Sequence, residues 1–192
     1  MLKRREFLKT SALVATAAST GMLSANAAAD APRHASPIQF VLVDDDFGDS
    51  VMFANELIAR GARAFSVRED IGRLWFGELG NVFATGNAIA GLTSHTELLV
   101  CASFARERGA RVRFEGSHDC RGSEVLTHSL RIGIEDQRFS ASLASAQEAW
   151  PRALALRTMN LSRCDALCTD SAATTTRRSP SHPGSLYSWV IA

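Results

Sequence analysis

A tetrapeptide that occurs twice constrains this chain more than any other feature. Arg60-Gly-Ala-Arg63 and Arg108-Gly-Ala-Arg111 are identical and lie 48 residues apart. Upstream of the first, Phe40–Val43 is a short continuous apolar run, the pattern of a strand buried on both faces. Ser50–Arg60 then carries Val51, Phe53, Ala54, Leu57 and Ile58 at helical spacing with one buried face. Gly61 closes that helix as a left-handed cap residue does, and Ala62–Val67 reads as the next strand. The pattern returns on the same offset. Asn87–Gly91 is a weaker apolar run, and Ser94-His-Thr-Glu97 has the Ser and Glu of a capping box. Leu98, Leu99, Ala102 and Ala105 make the apolar face of a second helix, Gly109 ends it, and Arg111–Glu115 is a strand. Superposed, the copies put Phe40–Val43 over Ala88–Gly91 and Asp45-Asp46 over Thr93-Ser94.

The second half is less regular. Glu124–Leu130 alternates as a strand does. Ala141–Trp150 is Ala-rich and helical, and Pro151 starts a further helical segment to about Cys168. Ser171–Pro183 is rich in Ser, Thr and Pro and reads as an exposed loop. Leu186–Ile191, with aromatic and β-branched residues, is a final strand that ties down the C-terminus. Two strand–helix–strand units in register predict an α/β fold. Its sheet is expected to be open, mainly parallel and doubly wound, Rossmann- or flavodoxin-like, with flanking helices. The organisation expected is a leader over 1–27, a lead-in over 28–37 and one α/β domain over 38–192 with the exposed loop at about 171–183.

The chain opens MLKRREFLKTSALVATAASTGMLSANAAADA. A basic start, an apolar stretch of small residues and an A-x-A site near Ala25-Asn26-Ala27 form an export signal. Arg4, Arg5, Phe7, Leu8 and Lys9 make it similar to the twin-arginine translocation (Tat) signal of bacteria. That resemblance implies passage through the Tat translocase, a pathway for folded proteins that often carry a cofactor or a partner. It also implies a periplasmic or secreted protein. The apolar run is short and mild for a permanent membrane span, so no stable span is expected after cleavage.

Both lysines of the protein, Lys3 and Lys9, sit in that signal. Removing them with Arg4, Arg5 and Glu6 takes the formal charge from +1 to −2. A chain without basic excess has little to grip a phosphate backbone, so nucleic acid is not an expected partner. Schiff-base chemistry is excluded from the mature chain because it has no lysine.

In an open parallel sheet, ligands sit beyond the carboxyl ends of the strands. Asp44, Asp45 and Asp46 follow the first strand; Ser94 and His95 follow its counterpart in the second unit. These five residues are the expected ligand rim. "VLVDDD", an amphipathic helix and a "GARAF" strand resemble the first unit of bacterial receiver domains, where carboxylates hold magnesium beside an acceptor aspartate. The likeness stops at architecture: "GRLWFGELG" supplies no strand-end aspartate, and the lysine of those domains is missing. "FGDS" at Phe47–Ser50 is similar to the nucleophile block of the SGNH/GDSL ester hydrolases. Gly86-Asn87 is similar to their oxyanion block and "SPSHPG" at Ser179–Gly184 to their terminal histidine block. That resemblance implies a serine ester hydrolase using Ser50 and His182, but Ser179 stands where those enzymes have an aspartate. A structural role is the competing expectation: Ser50 or Asp49 caps the following helix.

His118, Asp119, Cys120, His128, Cys164 and Cys168 are residue types that ligate metals, yet their spacing matches no metal motif, and no metal or other cofactor is assigned. Four cysteines in an oxidising compartment favour disulfides, with Cys101–Cys120 one candidate bridge. Trp75, Trp150 and Trp189 are expected in the core. Gly86-x-x-x-x-Gly91 has neither the Lys-Ser/Thr of a phosphate loop nor a dinucleotide spacing.

"LWFGEL" at Leu74–Leu79, "IAGLTSHTELLV" at Ile89–Val100 and the terminal "HPGSLYSWVIA" resemble a group of small Tat-exported bacterial proteins without an assigned activity. With each catalytic pattern broken at a required position, the expected function is an exported periplasmic accessory or binding protein. A periplasmic redox enzyme is the partner class implied by the Tat route.

Overall fold

The computed structural model of the chain describes residues 38–121, 125–133, 136–161, 167–175 and 184–192. The leader, the lead-in, Cys164, Ser179 and His182 lie outside the described residues. No described helix is long and apolar enough to cross a membrane.

The first repeat forms as its pattern predicts, except that Ile58, placed on the buried face of its helix, is exposed at the helix end. β1 (Ile38–Val43) leads into α1 (Gly48–Ile58), and β2 (Arg63–Ser66) returns parallel to β1. Gly61 sits at φ +98°, and the turn closes with Ala62 N–H donating to the Leu57 carbonyl at 3.1 Å. The left-handed backbone there requires glycine. The second copy is built alike: β3 (Ala88–Thr93), α3 (His95–Glu107), Gly109 at φ +77°, and Ala110 N–H donating to Ala105 O at 3.0 Å. Between them, "GRLWFGELG" forms α2 (Ile71–Gly77), capped by the Asp70 side chain, and a 3-10 helix, Leu79–Thr85.

The copies part at their last strand. β4 (Val112–Arg121) does not pair with β3, because β7 (Ser185–Ile191) lies antiparallel between them. β5 (Val125–Gly133) and β6 (Leu167–Thr175) extend that side, giving the order β2-β1-β3-β7-β4-β5-β6. Of the six pairings among the described residues, only β1/β2 and β1/β3 are parallel. The sheet is therefore mixed, not mainly parallel. The reason is connectivity: β7 inserts antiparallel to both β3 and β4, and β5 and β6 then add antiparallel in turn.

Four further expectations are corrected. The helical segment after Pro151 is α5 (Trp150–Thr158) and stops well short of Cys168. The Ala-rich stretch before it divides into α4 (Phe139–Ala146) and a short 3-10 turn. Ser171–Thr175, read as loop, belongs to β6. Leu99, placed on the buried face of α3, is 54% exposed; Cys101 takes that place beside Leu98 and Ala105.

Two apolar layers flank the sheet. On one face α1, α4 and α5 cover Val41, Val43, Ala90, Leu92, Phe114, Leu130 and Val190. On the other, α2, the 3-10 helix and α3 cover Phe40, Leu42, Ile89, Trp189 and Ile191. Burial on this scale, at about 25 cal/mol per Å² of apolar surface, is what drives the packing. All three tryptophans are buried, as expected.

Candidate functional site

β1 and β3 are neighbours, and the connections that leave their carboxyl ends pack on opposite faces: α1, after β1, in one apolar layer and α3, after β3, in the other. The carboxyl ends of β1 and β3 thus meet at a topological switch point, where the diverging connections open a crevice. Val43 pairs with Leu92 at the last rung of this ladder. Asp44–Asp46 and Ser94–His95 follow directly, so the expected rim residues are brought to one place.

The rim is held by its own bonds. The Asp44 carboxylate accepts from the Asp46 amide at 3.2 Å. Asp45 accepts from the Ser66 hydroxyl at the end of β2, and Asp46 pairs with Arg68. Ser94 caps α3 by accepting from Thr96 N–H at 3.2 Å. Its hydroxyl also bonds the Glu97 carboxylate, so Glu97 completes the cap through the serine side chain. The His95 and Tyr187 rings lie 4.6 Å apart at the margin. Tyr187 and Ser66 escaped sequence reasoning; only the pairing of β7 with β3, and of β2 with β1, brings them here.

Asp44 is nearly buried. Burial raises its pKa most, the Asp46 amide opposes the rise, and the charges of Asp46, Glu97 and Asp45 add to it. Carboxylates crowd the starts of α1 and α3, whose N-terminal dipole ends would otherwise attract anions. The rim therefore repels phosphate and suits a cationic or hydroxyl-bearing group.

Ser50 has a different environment. It is fully buried, and its Oγ accepts from the Asp44 amide at 2.9 Å. It does not cap α1; the N-cap position is Phe47. Nor does the oxyanion-like pair approach it. Asn87 stands before β3, donating to Gln39 Oε1 at 3.1 Å and Thr85 Oγ1 at 2.9 Å, whereas Ser50 follows the carboxyl end of parallel β1. A whole strand separates the two blocks.

Cys101 is buried in the α3 layer and Cys120 packs in the α1 layer, so the sheet stands between the residues of the expected bridge. Burial pushes the Cys101 thiol up to about 12. Among the described residues, no group of three or more His, Cys, Asp and Glu side chains is disposed to hold a metal ion. His118 and His128 do meet, on adjacent strands, with their Nδ1 atoms 2.8 Å apart. Comparison with family models, with curated proteins and with solved structures gives no significant match.

Proposed function

We propose that this protein is an exported accessory or binding module whose ligand seats at the carboxyl ends of β1 and β3. The observation that carries the reading is the meeting of Asp44 and Ser94 at the β1/β3 switch point. This is where open α/β sheets hold ligands. The carboxylates of Asp44, Asp45, Asp46 and Glu97 favour a cationic or hydroxyl-rich group, and the His95–Tyr187 pair offers it an aromatic margin. The Tat-like leader supports export to the periplasm or beyond and a periplasmic redox enzyme as partner.

Native against denaturing mass spectrometry of the mature protein, recovered from the periplasm of a bacterial host, tests both parts. A mass lost on denaturation, and reduced in an Asp44→Asn/Ser94→Ala variant, is the expected result for a ligand. A protein-sized mass unaffected by that variant would identify a partner bound elsewhere. Wild-type protein found only as a bare monomer at its covalent mass would overturn the reading.

A further inference from the structure

On the α5 side of the antiparallel half, three strands each contribute one polar side chain to a buried chain of hydrogen bonds. Ser188 on β7 bonds His118 Nε2 on β4 at 2.8 Å, and His118 Nδ1 bonds His128 Nδ1 on β5 at 2.8 Å. All three residues are at most 2% exposed. Trp150, the first residue of α5, covers both rings at centroid distances of 4.5 and 4.9 Å. Gly116 leaves the space the chain needs: a Cβ there would stand 2.8 Å from Ser188 Oγ and 2.5 Å from Leu130 Cδ2.

We propose that Ser188, His118 and His128 form an acid-sensitive latch, which fastens α5 to the sheet while both rings are neutral and releases it when they take up protons.

Proton counting shows why. Two Nδ1 atoms at hydrogen-bond distance share one proton: one ring donates and the other accepts. With both rings neutral, the second ring proton lies on the Nε2 of the ring that accepts: on His118, so that Ser188 accepts, or on His128, so that Ser188 donates to His118. A first added proton preserves the Nδ1–Nδ1 bond but leaves an imidazolium under Trp150 in a dry layer. A second puts N–H groups on both Nδ1 atoms, and the rings must separate. Burying an uncompensated charge is costly, so opening the layer to water relieves both steps.

Among the described residues, no carboxylate is paired with either ring. The ionisable groups described on this side of the surrounding elements include Asp49 and Glu56 on α1, Cys120 on β4, Cys168 and Asp170 on β6, Glu148 before α5, and Arg152 and Arg157 on α5, whereas Glu115, Asp119 and Arg131 alternate onto the opposite face of β4 and β5. Asp49 acts on Cys120, and Asp170 accepts the Ser140 amide at 2.7 Å. Arg157 pairs with Asp136, Arg152 lines an outer groove with Glu56, and Glu148 is exposed. Burial, then the charge of His128, holds His118 well below the usual imidazole range; burial alone takes His128 down to about 4. Both rings thus stay neutral through the range where a free histidine protonates and take up protons only in acid. His128 Nε2 is buried without a hydrogen-bond partner among the described residues, which adds no support for a charged ring.

The test is amide hydrogen exchange of the whole mature chain, corrected for the intrinsic pH dependence, between about pH 7 and about pH 4.5. Protection in α5 should fall roughly tenfold or more on acidification while α3 keeps its protection. His128→Asn, which keeps a bonding atom near the Nδ1 position and cannot be protonated, should clearly reduce the fall, leaving only the part due to His118. Unchanged α5 protection would overturn the latch. So would equal losses in α3 and α5, or the same acid response in His128→Asn. Should that variant not fold, ¹⁵N ring spectra of the wild type decide. Protonation of both rings coincident with α5 opening supports the latch; a ring that titrates in the ordinary histidine range while α5 stays closed refutes it.

Discussion

Ser50 Oγ accepts the backbone N–H of Asp44 at 2.9 Å, tying the first turn of α1 to the residue that leaves β1. The serine that resembles a hydrolase nucleophile is a buried brace for the rim. Ser50→Ala leaves the Asp44 amide unsatisfied and should cost about 1–3 kcal/mol, read as a lower urea midpoint with unchanged slope. Loss of an esterase activity in a Ser50→Ala protein of wild-type stability would instead make Ser50 a nucleophile.

At Asp44, stability and the proposed ligand binding pull in opposite directions. Its folded pKa is raised, so its contribution to stability is present below the unfolded value and is lost as pH rises through the folded one. At neutral pH the ionised carboxylate is therefore a burden. Asp44→Asn keeps an acceptor for the Asp46 amide and sheds the charge. It should melt higher than wild type at neutral pH, lose that advantage in strong acid, and bind the rim ligand more weakly. Thermal melts at the two pH values, paired with a binding titration, check all three outcomes.

The histidine pair works in the opposite direction. Both rings are depressed, so their contribution to stability is complete above about pH 6.5 and is lost as pH falls towards about 4. A single ring moved that far corresponds to about 3 kcal/mol. Urea unfolding at pH 7 and pH 4.5 should show a loss of that order in wild type and a smaller one in His128→Asn.

Trp189 crosses the sheet at Gly91. A Cβ at Gly91 would stand 2.4 Å from the indole Cζ2, while the indole N–H donates to Thr93 Oγ1 at 3.0 Å. Gly91→Ala should lower stability by about 1–3 kcal/mol through overpacking, and Trp189→Phe in the same chain should recover part of that loss. A double-mutant cycle by thermal unfolding measures the coupling; strict additivity would mean that the strand shifts to make room.

Local signals made the first repeat legible. The apolar run of β1, the helical spacing of α1, the left-handed Gly61 and Gly109, and the Ser94 cap each depend on a few adjacent residues. The rim was legible for the same reason, since Asp44 and Ser94 each directly follow a strand. β6 was not: Thr169, Ser171 and Ala173 face outward, and only Cys168, Asp170, Ala172 and Thr174 turn inward, so its strand state comes from pairing with β5.

What the amino-acid sequence determined by itself was the α/β character, the repeated strand–helix unit, the buried final strand and the acidic rim, because periodicity, capping and backbone sterics act over a few residues. The tertiary structure decided where the last strand goes. β7 inserts between β3 and β4, turns a parallel plan into a mixed sheet, and carries Tyr187 to the rim and Ser188 to His118. It also set His118 against His128 through the β4/β5 register, and put Cys101 and Cys120 on opposite faces. These are contacts between segments distant along the chain, selected by the joint burial of two apolar layers rather than by any local pattern.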